Sequence, residues 1–80
     1  MKQRSRARKR FAVCVENKGY RASLERWKIY HVIPDRDAET QHHIRVIDES
    51  GEDYLYPSEF FRLVDLPANL RRLYRAKAVA

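Results

Sequence analysis

The apolar residues between positions 11 and 66 come in short runs, and each run is stopped by turn chemistry. Phe11 to Val15 ends at Glu16-Asn17-Lys18-Gly19, and Lys28 to Ile33 ends at Pro34. Ile44 to Asp48 and Tyr54 to Tyr56 flank Glu49-Ser50-Gly51-Glu52, and Phe60 to Leu66 follows Pro57-Ser58-Glu59. Runs this short, rich in β-branched and aromatic residues, specify strands. Gly51 can take a positive φ and close a hairpin. Pro57 donates no ladder hydrogen bond, so the chain should break there into a single 3₁₀ turn. Tyr20 to Arg26 reads as an irregular loop that carries Leu24 into the core, and Asp35 to His43 as a loop or a fragment of helix. Five short strands within residues 11–66 predict a mostly-β, five-stranded small barrel.

The chain has 80 residues, enough for one domain. A chain of this size buries only about 60% of its unfolded surface, so its stability margin is thin. Its one cysteine, Cys14, forms no intramolecular disulfide and builds no metal cage, which fits a reducing, cytoplasmic setting. His42 and His43 are adjacent and diverge on a strand, and His31 stands apart, so no metal site is expected. No apolar run approaches the ~18 residues a membrane span needs. The polybasic N-terminus lacks the apolar segment of a secretory signal.

Charge is segregated along the chain. Residues 1–10 carry Lys2, Arg4, Arg6, Arg8, Lys9 and Arg10 and no acid, a charge of +6. Residues 11–66 sum to −4, and residues 67–80, with Arg71, Arg72, Arg75 and Lys77, to +4, giving the net +6. The first ten residues have too little apolar surface to offset ordering costs of about 1–2 kcal/mol per residue, and read as a flexible basic arm. From Pro67 the chain reads as a helix over 67–80, capped by Asp65, with Leu66, Leu70, Leu73 and Tyr74 on one stripe and Arg71, Arg72 and Arg75 opposite.

The stretch Gly51-Glu52-Asp53-Tyr54-Leu55-Tyr56-Pro57-Ser58-Glu59-Phe60-Phe61 is similar to the closing segment of SH3 domains, with Pro57-Ser58 and the aromatic Phe60 in place. Leu24, with Lys28-Ile29-Tyr30-His31-Val32, resembles the leucine and second strand of the same barrel. The resemblance covers roughly residues 11–66 and extends to short bacterial proteins built on an SH3-like barrel. It implies a fold with Tyr56 and Phe61 pointing in and Phe60 pointing out. Of the peptide groove, only Pro57, Phe60 and Tyr54 carry over. Ile44 and Arg45 stand where proline-reading domains place a tryptophan pair, and Glu59 replaces the asparagine after Pro-Ser.

These patterns predict a non-enzymatic binding module. Arg4, Arg6, Arg8, Lys9 and Arg10 suit phosphates, since guanidinium forks bond them in pairs and neutralised phosphates release counterions. Arg71, Arg72 and Arg75 extend that footprint or form an ordinary solvent face. The expected partner is nucleic acid, RNA or DNA. The alternative is an acidic protein partner, or a protein-interaction face around Phe60 or the C-terminal helix. Trp27, Tyr54, Pro57 and Phe60 are the candidate stacking or partner residues, Trp27 and Phe60 being the ones expected exposed. Cys14 reads as a small core residue, and Asp48, Glu49, Glu52 and Asp53 as a solvated turn. With only Gly19 and Gly51, no phosphate-cradling glycine loop is present. No cofactor and no small-molecule substrate are expected.

Overall fold

A computed structural model describes the backbone of residues 10–79 and the side chains of residues 10–73. In chain order the elements are β1 (Arg10–Cys14), β2 (Ile29–Ile33), α1 (Arg36–Thr40), β3 (His43–Ile47), β4 (Asp53–Pro57), a 3₁₀ turn (Ser58–Phe60), β5 (Phe61–Val64) and α2 (Ala68–Val79). The five strands form one antiparallel sheet in the order β4-β3-β2-β1-β5. The fold is therefore mostly β with two short helices. β4 and β5 are the outer strands and do not pair with each other, so the sheet is open. A chain that leaves β4 at Pro57 through one 3₁₀ turn cannot double back along β4. It crosses instead to the free side of β1, where Phe61 pairs with Cys14.

One face of the sheet holds the main core. Ala12, Cys14, Tyr30, Val32, Val46, Tyr56 and Phe61 occupy alternate strand positions and pack into one buried cluster. Leu24 enters that cluster from the β1–β2 loop and is 1% exposed. The loop is shaped by local bonds: Glu16 accepts from the N–H groups of Asn17 and Lys18, and Asn17 Nδ2 donates to the Leu24 carbonyl at 3.0 Å. The opposite face is not bare. Phe11 and His31, paired across β1 and β2, are both buried with ring centroids 4.6 Å apart.

Several boundaries differ from the sequence reading. Arg10, expected in the arm, opens β1 opposite Val32. Strand four is longer than expected and strand five shorter. Part of 35–43 does form a helix, α1. Asp35 caps it by accepting from Ala38 N–H at 3.0 Å, and Arg45 bridges that cap to the hairpin through Asp35 at 2.8 Å and Asp53 at 2.9 Å.

The C-terminal helix departs furthest. Its first bonds run from the N–H groups of Leu70 and Arg71 to the Pro67 carbonyl, 3.0 Å each, so it begins after Pro67 and not at an Asp65 cap. Its apolar stripe is not pressed on the sheet, since Leu70 and Leu73 are exposed. Arg71 turns back instead and donates to the Leu66 carbonyl at 2.6 Å.

Candidate binding surfaces

The strand register sets the start of β1 beside the end of β5. Phe11 is the partner of Val64 across β1 and β5. The chain before Arg10 and the chain after Val64 therefore leave neighbouring strands at the same end of the pair, which we call the basic pole. Arg10 is exposed there, with Glu39 a distant counter-charge at 4.0 Å. Arg72 is exposed and Arg71 half-buried. Arg4, Arg6, Arg8 and Lys9 lie outside the described residues, as does the side chain of Arg75. A cleft of about 290 Å3 opens beside this pole, lined by Arg10, Val32, Glu39, Ile44, Phe61 and Leu63.

The candidate aromatics differ in exposure. Trp27 is 66% exposed, and the Arg26 guanidinium carbon sits 5.7 Å from its ring centroid. Its φ of 70° is unusual for a bulky side chain, and is held by its N–H donating to the Cys14 carbonyl at 2.6 Å. Phe60, expected exposed, is half-buried: the 3₁₀ turn packs it against the core, edge-on to Tyr20 at 6.0 Å. Pro57 is half-buried as the last residue of β4, and Tyr54 is exposed two residues before Tyr56.

A second cleft, of about 500 Å3, lies at the other end of β1, where the β1–β2 loop meets the β3–β4 hairpin. Glu49 N–H donates to the Ser23 carbonyl at 3.0 Å, and the Tyr56 hydroxyl bonds both Ser23 Oγ and the Asp48 carboxylate. Tyr20, Asp48, Glu52, Tyr54, Leu55 and Tyr56 line the cleft, and among the described residues no lysine or arginine does. Tyr20 stands edge-on to Tyr56, centroids 4.9 Å apart.

Asp48 corrects the expectation of a solvated turn, because it is only 5% exposed. Burial alone would raise its carboxyl pKa. The bonds from Ser50 (N–H at 2.9 Å, hydroxyl at 2.6 Å) and from Tyr56 outweigh burial and hold the carboxyl below the ordinary carboxylate range. Tyr56 responds in the opposite sense. Burial, then its bond to the Asp48 anion, pushes its pKa up to about 12. Tyr30 repeats the arrangement with Glu49, whose carboxylate also takes Lys28 at 2.7 Å. Burial, and then the bond to Glu49, raises the Tyr30 pKa.

Of the residues lining this cleft, sequence reading singled out only Tyr54 as a site residue, and it missed Tyr20, Asp48 and Glu52 among others. Asp48-Glu49-Ser50-Gly51 carries one usable signal, an aspartate bonding the backbone two residues on, which turns its carboxylate inward. Nothing in the sequence says that Tyr20 faces this hairpin. Cys14 is buried, its thiol donates to the Glu16 carbonyl at 3.2 Å, and burial raises its pKa. No helix among the described residues is long and apolar enough to cross a membrane. No family model, curated protein or solved structure matches this chain.

Proposed function

We propose that this protein is a small, non-enzymatic binding module that holds nucleic acid at its basic pole. One observation carries the reading. The register Phe11–Val64 sets side by side the start of β1, which the +6 N-terminal segment precedes, and the end of β5, which the +4 C-terminal segment follows, on a body of net −4. Such a concentration of cations engages phosphates and releases counterions, without needing a shaped groove. The exposed Trp27, backed by Arg26, lies away from the basic pole, in the β1–β2 loop at the other end of β1, and offers a separate stacking face for an unpaired base of a single strand that extends along the body. The same reading takes the open sheet as an SH3-like barrel. Support for that comes from the return of β5 to β1, the 3₁₀ turn after Pro57 and the buried Leu24 of the first loop. The buried thiol with its raised pKa supports the absence of nucleophilic chemistry at Cys14.

Titration of generic duplex DNA and single-stranded RNA at several salt concentrations tests this. The expected logarithm of affinity falls with that of salt at a slope of about −0.9 per phosphate neutralised on duplex, and about −0.7 on single strands. Removing residues 1–9 should flatten the slope, and Trp27→Ala should weaken single-strand binding only. Absence of binding at low salt, or a slope near zero, rejects the reading.

A further inference from the structure

We propose that the cleft between the β1–β2 loop and the β3–β4 hairpin docks an extended peptide segment that presents a lysine or arginine side chain. The walls select that chemistry. Tyr20 and Tyr54 are exposed along the cleft, Tyr56 is buried beneath it, Glu52 is exposed, and Asp48 supplies a fixed anion below. Among the described residues no lysine or arginine lines this space, and Lys28 is held outside it on Glu49. A long basic side chain lays its aliphatic stem on tyrosine rings while its charged head meets aromatic faces and carboxylates. Phosphate is disfavoured by the same anions, so the occupant differs in kind from the ligand of the basic pole.

The backbone points to a peptide and not to a free cation. β4 is an edge strand. Asp48 N–H donates to the Glu52 carbonyl at 3.0 Å, which fixes 48 and 52 as a hydrogen-bonded pair. The continuous register then makes Val46–Tyr54 and Ile44–Tyr56 bonded pairs, and Ile47–Asp53 and Arg45–Leu55 non-bonded ones. In a non-bonded pair both backbone groups face away from the partner strand. The N–H and C=O of Leu55 therefore point to the uncovered edge, on a residue that itself lines the cleft. An incoming strand can pair there and send alternate side chains toward the cleft.

The full-length, isotope-labelled protein can be titrated by NMR with a blocked Thr-Val-Arg-Val-Thr pentapeptide, its citrulline counterpart and spermidine. Saturable shifts at the amides of Glu52, Tyr54 and Leu55 are expected with the arginine peptide. Citrulline should weaken binding about tenfold, as loss of a charge-assisted contact implies. Glu52→Gln should weaken it about threefold, as expected for an exposed carboxylate. Leu55→Pro removes an N–H that faces the open edge, where proline is tolerated. It should lose the peptide while the remaining amide shifts stay native. Four results overturn the proposal: equal binding of citrulline, spermidine matching the peptide, no shift at millimolar peptide, or peptide binding only after residues 1–9 are removed, which would make that segment the occupant.

Discussion

At the scale of single residues, two side chains hold the acidic end of the molecule together. Tyr56 is buried, closes the core beside Phe61, and spends its hydroxyl on Asp48 and Ser23. Tyr56→Phe keeps the packing and leaves Asp48 short of a donor, so a loss of about 1–3 kcal/mol is expected in urea unfolding near neutral pH. The pH dependence has a definite sign. Asp48 has its folded pKa below the ordinary 3.8, so its contribution is present above that value and lost as pH falls through the folded pKa. Tyr56 has its folded pKa raised from 10.0 to about 12, so its contribution is present below pH 10 and lost as pH rises through 12. The difference between the native protein and Tyr56→Phe should therefore be flat from about pH 4 to 10 and shrink on both sides. A difference that grows in acid sinks this account. Leu24 is the other key residue. It is the one core member supplied by an irregular loop, and at 1% exposure its truncation leaves a cavity. Leu24→Ala should cost about 2–5 kcal/mol in denaturant unfolding, enough to leave a chain this small largely unfolded.

At the scale of elements, short apolar runs bounded by Gly19, Pro34, Gly51 and Pro57 were legible as strands because period-two side chains and turn residues are local properties. The two strands nearest the centre were harder to orient. Phe11-Ala12-Val13-Cys14 is continuously apolar and Ile29-Tyr30-His31-Val32 is broken only by His31, so neither stretch reveals that Phe11 and His31 bury on a second face. The helical tail was legible as an amphipathic helix with a stripe of Leu66, Leu70 and Leu73, but amphipathicity records only that a face is apolar and never what covers it. Leu73 is 64% exposed, so Leu73→Glu should change unfolding stability by less than about 0.5 kcal/mol. A larger loss measured by urea denaturation would mean that the helix packs on the body in solution.

At the scale of the whole molecule, the sheet separates two electrostatic ends by the length of β1. β1 starts and β5 ends at the end marked by Phe11 and Val64, and the β1–β2 loop and acidic hairpin meet beyond the other. Charges at the basic pole repel one another and are screened over about 8 Å at physiological salt. Deleting residues 1–9 should therefore leave the unfolding free energy within about 0.5 kcal/mol, or raise it slightly at low salt, while removing most affinity for nucleic acid. Measuring both quantities on the same variant separates a binding segment from a structural one. A drop in stability equal to the drop in binding free energy argues for the latter.

The sequence by itself determined the number and order of the strands, the hairpin at Gly51, the turn after Pro57 and the concentration of cations at both chain ends. Each of these follows from residues close together in the chain. Only the tertiary structure decided that β5 returns to β1, so that the start of β1 and the end of β5 are neighbours, that Asp48 is buried and bonded by Tyr56, and that Tyr20 faces the far hairpin. Those outcomes depend on which strands share edges, a choice made by long-range pairing and burial that no local pattern encodes.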